Sequence, residues 1–433
     1  MTVGEQQQQI KDPNKSLEIR VFTLNIWGIP NISRDREARV QAIAQHLTGT
    51  HEPYHYVFLQ EVWSKTDFQF LADKVSKILP FSHYFYSGVN GSGTCIFSCS
   101  PIHEVHFHPY SLNGYPHKIL HGDWYGGKGL AFCKTTYQGI PILLINTHLH
   151  AEYDDAKDEY IHHRVAQAYE ISQILRFAKY GHHLTIFGGD LNCTTADVPY
   201  RLLTYNTGLI DTYLDCALKP ADGVGATNET PSNSYTPLKA LRNNPNGKRI
   251  DYVFYWVSDQ YQVKTLVHDQ PLPHRVPQKE FSYSDHEGVR TVLSIKLKQN
   301  NPEQDEKSKK EICFDRTHSL LDASAVCAQG LRIVSKAQKM YAWLAALMFI
   351  LQMTVLGLIL VDMHPGGRFV LFFLLILLSI GFGFSVYMAL VFSNQEHSAV
   401  MATKLGLERL LDEVRQKNAK YFEEQKKLSS ARQ

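Results

Sequence analysis

The chain has 433 residues, more than one ordinary domain, and its 44 Lys and Arg against 42 Asp and Glu leave a formal net charge of only +2. A domain that grips nucleic acid through its phosphates carries a basic excess, so this balance argues against a nuclease and for no nucleic-acid partner. The seven Cys are odd in number and include no Cys-x-x-Cys pair. That argues against structural zinc and a secreted disulfide framework, and fits reduced thiols facing a cytosol.

Residues 1–16 are polar, with Gln6 to Gln9 in a row, and lack the apolar core of a cleavable signal; they read as a disordered arm. A first strand is predicted over 17–24, half-exposed at its start and apolar at its end, delivering Asn25 to the turn Ile26-Trp27-Gly28-Ile29-Pro30. An Asn there caps the turn or lends a hard amide oxygen to a cation. Residues 34–47 place Val40, Ile43, Ala44 and Leu47 at helical spacing. Residues 56–59 form a second buried strand that ends in Gln60 and Glu61. A Glu directly after an apolar strand is costly to bury unless it is paired or metal-bound. A helix over 68–79 closes at Pro80, and short strands follow over 83–86, 94–98 and 103–108.

A loop rich in Gly and aromatic residues then holds Asp123 and Lys128 across Gly126-Gly127, ahead of the apolar 130–132. Such a loop is often functional, and a surface salt bridge is the plainer alternative for the pair. The strand 141–146 runs into Thr147-His148-Leu149-His150, and a long helix is predicted over 155–180. The pairs His162-His163 and His182-His183 read as surface or packing residues. A strand over 184–187 is expected to end at Gly188-Gly189, with Asp190 and Asn192 at the mouth of the turn. Open α/β sheets place their chemistry there. A weak helix over 202–209 and a loop over 222–246 precede a strand at 249–255, with Asp251 near its start. Ser284-Asp285-His286-Glu287 sits ahead of a closing strand, 289–297.

The strand ends thus offer Asn25, Glu61, His148, Asp190, Asn192, Asp251, Asp285 and His286. Carboxylate and amide oxygens suit Mg²⁺, and a divalent cation neutralises charge on a phosphate. A neutral His takes the proton of an attacking water, and donors hold the phosphoryl oxygens. The set suits phosphoester hydrolysis.

The motifs Gln60-Glu61, Thr147 to His150, Gly189 to Asn192, Arg249 to Val253 and Ser284 to His286 resemble the endonuclease/exonuclease/phosphatase superfamily. Within it, FTLNIWGIP, QEVWS, SLNGYP, HGDW and THLHAEY are similar to the animal neutral sphingomyelinases, over about residues 17–298. The resemblance implies an α+β fold, a deoxyribonuclease-like four-layer α/β/β/α sandwich. It implies a Mg²⁺-dependent phosphodiesterase that cleaves sphingomyelin, and related phosphocholine lipids including lyso forms, to release phosphocholine. By the same resemblance Glu61 holds Mg²⁺ with Asn25 nearby, and His286 is the general base, oriented or assisted by Asp285. His148 and Asn192 stabilise the phosphate, Asp190 places the water, and Asp123 with Lys128 arranges the site. An inositol-phosphate phosphatase and a silent lipid-binding scaffold of the same fold are the alternatives.

Residues 341–361 and 369–392 carry no charge, and each can cross a hydrocarbon core as a helix, so the sandwich is followed by a transmembrane hairpin. Gly381 and Ser385 lie one turn apart, where the spans can approach. Arg332, Lys336 and Lys339 precede the pair and Lys404 and Arg409 follow it, against the single Arg368 between. The positive-inside rule then puts both termini and the catalytic domain in the cytosol, on an internal membrane such as endoplasmic reticulum or Golgi. The stretch 299–340 reads as a linker, polar and flexible at its start. In the tail, 393–433, Val400, Leu407, Val414 and Tyr421 repeat at seven, an amphipathic helix compatible with a homodimer.

Overall fold

A computed structural model of the chain describes residues 16–154, 157–217, 225–298, 306–361 and 364–430. Of the arm expected over 1–16, only Ser16 falls within them. The chain divides into two units, Met1–Ser319 and Leu320–Gln433.

The first unit is built on two six-stranded sheets. One contains β1 (Leu17–Asn25), β2 (Tyr56–Gln60), β3 (Phe81–Tyr84), β4 (Cys95–Ser98), β11 (Tyr261–Asp269) and β12 (Val289–Leu297), in the order β11-β12-β1-β2-β4-β3. The other contains β5 (Ile102–Pro109), β6 (Gly129–Tyr137), β7 (Ile140–His148), β8 (Leu184–Asp190), β9 (Ile210–Asp211) and β10 (Asp251–Val257), in the order β5-β6-β7-β8-β10-β9. The pairs β1–β2 and β7–β8 are parallel and the flanking pairs antiparallel.

Three apolar layers follow from the two-residue period of the strands. Ile19 and Val21 of β1 meet Ile142 and Leu144 of β7 and Val253 of β10 between the sheets. The alternate residues Phe22 and Leu24 pack against α1 (Arg36–Gly49) and α2 (Lys65–Val75). Leu143, Ile145, Tyr252 and Phe254 pack against α3 (Ile161–Ala178) and α4 (Val198–Thr207). The arrangement is the expected four-layer α/β/β/α sandwich.

Local differences have physical causes. β8 does not end at its glycines; it runs through them to Asp190. A Cβ on Gly188 would meet the Phe58 ring at 2.7 Å, and one on Gly189 (φ 138°) would meet Thr147 O at 2.0 Å. The glycines therefore let the strand stay paired while the sheets close on it. α3 starts at Ile161 rather than 155, because Asp158 turns back to accept from Tyr160 N (3.0 Å) and from Arg164; Asp155 lies outside the described residues. Its His162 and His163 are buried, and His163 Nδ1 accepts from Gly114 N at 3.1 Å. The loop expected over 222–246 contains a short helix, α6 (Leu238–Asn243), after the four-residue α5 (Thr212–Asp215). β11 was not expected from the sequence.

The helix α7 (Glu306–Ile359) includes residues 341–359 of the first apolar run. The linker expected over 299–340 is therefore helical from Glu306, where no Pro interrupts the sequence; residues 299–305 are not described. α8 (Pro365–Tyr387) opens with His364 capping Gly366 N at 3.1 Å and continues through a π-turn (Met388–Phe392) into α9 (Ser393–Ser430). α7 and α8 are antiparallel: Gln352 Nε2 donates to Ser379 Oγ (3.0 Å) inside the spans, and Gln338 Nε2 donates to Ala389 O (3.0 Å). A π-turn leaves its carbonyls off the usual i→i−4 ladder, and Gln338 takes one. Ser385 is buried, and a Cβ on Gly381 would lie 3.6 Å from Met348 Sδ. Trp343, Ile350, Phe369 and Phe373 are exposed on outer faces. Both helices are long and apolar enough to cross a membrane. Val400, Leu407 and Val414 of the tail repeat are buried within the chain.

Candidate active site

Parallel β1, β2, β7 and β8 end at one rim, and antiparallel β10 and β12 begin there. The register places His148 opposite Asp190, and Asp190 opposite Asp251. In the facing sheet Asn25 stands opposite Gln60. Beneath the rim the sheets are clamped by polar groups: Gln60 Nε2 donates to Asn146 Oδ1 (2.7 Å) and Thr23 Oγ1 (3.0 Å). All three side chains are buried. The bond from Gln60 to Asn146 crosses between the sheets and favours one relative placement of them, while Gln60 Oε1 is buried without a partner.

His286 lies between two carboxylates. Its Nδ1 is 2.8 Å from Asp251 Oδ2 and its Nε2 is 3.8 Å from Asp190 Oδ2. Burial opposes a charge on this ring, but Asp251 and Asp190 outweigh it and hold the imidazolium well above its ordinary range. Burial, with Asp251, pushes the Asp190 carboxyl up in turn. The carboxylate expected to orient or assist His286 was Asp285; the hydrogen bond to the ring goes to Asp251 instead, and Asp285 acts on the ring only through its charge. The chain bends at Asp285, and its carboxylate turns back to the preceding residue. Asp285 Oδ1 accepts from Ser284 Oγ (3.2 Å), whose hydroxyl also donates to Asn25 O (2.6 Å). The signal for Asp251 was present, as the acid at the head of a strand whose neighbour ends in Asp190.

Thr227 joins the two elements that carry Asp251 and His286. Its hydroxyl accepts from Ile250 N (3.1 Å) and Asp251 N (3.0 Å), and its carbonyl accepts from Glu287 N at 2.6 Å. Sequence reading missed it, because a Thr in a polar loop carries no periodic signal. Asp190 also accepts from Asn192 N (2.9 Å) and from Asn25 Nδ2 (3.0 Å). Asn192, in the left-handed region at φ 45°, donates its side-chain Nδ2 to Leu149 O at 3.1 Å.

The second cluster centres on Lys128. Its ammonium is paired with Asp123 and donates to His148 Nε2 and Leu149 O, both at 3.0 Å. Asp123 and Lys128 are both buried, so the pair is no surface salt bridge. Burial opposes the Asp123 charge, but Lys128, His150 and Tyr153 overcome it and hold the carboxyl below its usual range. Tyr153 donates to Asp123 Oδ2 at 2.6 Å. Burial and the Lys128 cation keep His148 neutral, and its Nε2 stands 3.4 Å from Asp190 Oδ2.

Glu61 follows β2 in the left-handed region at φ 57°, which turns its carboxylate into the rim. Oε1 accepts from Asn25 Nδ2 at 3.0 Å, while Oε2 is buried without a hydrogen-bond partner. Burial raises this carboxyl, and the Asp285 charge raises it further. An unpartnered carboxylate oxygen facing a second acid fits a hard divalent cation. Asn25 is beside Glu61 as expected, but its oxygen accepts from Trp27 N (3.0 Å) and its nitrogen bridges Glu61 to Asp190. It stands as a bridge rather than presenting the amide oxygen. Two cavities open beside the site. One of about 530 Å³ is lined by Trp27, Arg34, Tyr235 and Asp285, the other, of about 500 Å³, by Asn192, Glu229 and Lys239.

An imidazole held by one carboxylate, a buried ammonium and an acid suited to a divalent cation, gathered on this sandwich, define a metal-dependent phosphoesterase class. The profile of the Endonuclease/Exonuclease/phosphatase family matches residues 22–286. A putative neutral sphingomyelinase of Drosophila melanogaster is 34% identical over 91% of this chain and 97% of its own. Sphingomyelin phosphodiesterase 2 of Homo sapiens is 38% identical over 67% of this chain and 68% of its own. Sphingomyelinase C from Streptomyces griseocarneus, a solved structure, aligns with a TM-score of 0.46 and 17% identity over 64% of this chain and 99% of that one. The chain belongs to the endonuclease/exonuclease/phosphatase family and, within it, groups with the animal neutral sphingomyelinases.

Proposed function

We propose that the first unit hydrolyses sphingomyelin between the phosphate and the ceramide oxygen, releasing ceramide and phosphocholine. The observation that carries this reading is the Asp251–His286–Asp190 row beside the Lys128 ammonium and Glu61. Neutral His286 Nε2 takes the proton of the attacking water while Nδ1–H donates to Asp251. Asp190 stands where it can orient that water. Lys128, held in place by Asp123, supplies positive charge beside His148, and His148 with Asn192 forms the phosphate-facing side of the site. Glu61, aided by Asn25, would hold Mg²⁺, which when bound would offset the phosphoryl charge.

The two apolar helices support an integral membrane protein whose substrate is a bilayer lipid. The Lys and Arg flanking them, against Arg368 alone in the turn, favour a cytosolic catalytic domain. The near-neutral net charge argues against a nucleic-acid substrate. The test uses the purified full chain in detergent with sphingomyelin, lyso-phosphocholine lipids, inositol phosphates and abasic DNA, with and without Mg²⁺. Phosphocholine release from sphingomyelin that depends on Mg²⁺ is expected. Release of inorganic phosphate from inositol phosphates without it would favour the phosphatase, and silence on all four the scaffold.

A further inference from the structure

The rim that carries the site also carries apolar side chains on the tips of its loops. β3 runs parallel to β2, and β6 and β10 run antiparallel to β7 and β8. The loops 85–94, 110–128 and 225–250 therefore all meet the sheets at the end where His148 and Asp190 stand. Ile32, Tyr86, Val89, Ile119, Leu120 and Leu238 are exposed on this set of loops and on the turn after β1. Leu120, at 99%, is the most exposed large apolar side chain among the described residues, and Ile119 beside it is 68% exposed.

The tips are continuous with the site. The 110–128 loop delivers Asp123 and Lys128, and Val89 N donates to Tyr125 O at 3.1 Å, joining the neighbouring loop to it. Ile32 and Asp285 line one cavity, and Lys239, next to Leu238, lines the other with Asn192. Each tip also has a cation close by. Arg34 follows Ile32, Lys118 precedes Ile119, Lys239 follows Leu238, and Lys65 Nζ lies 4.9 Å from the centre of the Tyr86 ring. Lys118 is held by Glu159 at 2.9 Å.

Separate apolar tips, each with a basic neighbour, suit a fluid headgroup layer better than a single rigid protein face. The chain also carries its own apolar helices. We infer that this rim is an interfacial docking surface for a bilayer containing anionic lipid, entered chiefly by the Ile119-Leu120 tip. The inference rests on the lipid phosphodiesterase reading above. Docking would bring the site, recessed between the tips, over the headgroup of its substrate without lifting the lipid into water.

The test uses the full chain reconstituted in vesicles of phosphatidylcholine, phosphatidylserine and sphingomyelin. The double substitution Ile119→Ser with Leu120→Ser should lower turnover of bilayer sphingomyelin by about 10-fold or more. Hydrolysis of monomeric 4-nitrophenyl phosphocholine should be unchanged. A polarity-sensitive dye attached through Leu120→Cys, corrected for labelling of the unsubstituted chain, should shift to the blue and be quenched by brominated lipid. Undiminished bilayer turnover, an equal loss on both substrates, or a dye that reports water would each overturn the inference. Failure of the enzymatic reading would look different: the unsubstituted chain would release phosphocholine from neither substrate, while the dye would still report on docking.

Discussion

Asp251→Asn separates the observed pairing of His286 from the one expected from adjacency. The Asp251 carboxylate lies 2.8 Å from His286 Nδ1, and both groups are buried. At about 4 Å and an effective dielectric near 20 such a pair is worth roughly 4 kcal/mol before competing terms. Asp190 remains on the other side of the ring, 3.8 Å away. The imidazolium should therefore lose only part of its support, and its pKa should fall back toward its ordinary range. His286 works as a base only when neutral, so the activity limb on the acidic side should move to lower pH. Turnover should nevertheless drop about 10²–10⁴-fold, because an amide can donate to Nδ1 and leave a proton on Nε2, the nitrogen that must accept the proton of the attacking water. The assay is kcat/KM against pH for the full chain in detergent micelles, with Asp285→Asn alongside. Asp285 bonds to Ser284 and reaches the ring only through its charge, so its variant should move the acidic limb less than Asp251→Asn does. A wild-type limb and turnover in Asp251→Asn, or a limb that moves only in Asp285→Asn, would refute the pairing.

Other outcomes follow from the same geometry. Glu61→Gln should keep the fold but lose most Mg²⁺-dependent turnover and the Mg²⁺-induced rise in Tm, because a neutral amide is a weak ligand for a hard cation; both are read in a Mg²⁺ titration. Thr227→Ala strips the acceptor from the Ile250 and Asp251 N–H groups, which should cost about 1–3 kcal/mol in denaturant unfolding and lower kcat, with Thr227→Ser restoring both. Burial lowers His268 to about 4 and His150 to about 3, so the folded state keeps them neutral. The unfolded chain takes up those protons below about pH 6.5. Stability should thus be complete above that pH and fall as pH drops toward 4, by up to roughly 3 kcal/mol for His268; urea unfolding of His268→Asn should show a shallower loss. If the catalytic domain is cytosolic, as proposed above, it never meets the glycosylation machinery, so the sequons at Asn14, Asn31, Asn90, Asn192 and Asn228 should carry no glycan. Endoglycosidase treatment and protease access in sealed microsomes check this, and a mass shift or protection of the domain would reverse the orientation.

The sequence by itself determined most of the strands, though not β11, and the end of the sheets at which chemistry collects. Apolar runs of strand length in 17–24, 56–59, 141–146 and 184–187 stop at Asn25, Glu61, His148 and Asp190, and local hydrophobic period is enough to see that. The two charge-free runs needed no structure, because length and composition alone set what can cross a bilayer. What the tertiary structure decided is which groups touch. Asp285 adjoins His286 in sequence, but Asp251, 35 residues away, holds its ring, because antiparallel β10 brings its first residue opposite the last of β8. Gly188 and Gly189 read as a strand end and prove to be strand interior, since only the partner backbone at Thr147 and the Phe58 ring reveal why no side chain fits. The Asn25 amide is turned by the carboxylates and the N–H around it, and Thr227 serves two elements that lie far apart in the chain. Side-chain direction and long-range pairing depend on register between strands, and a linear sequence carries register only weakly.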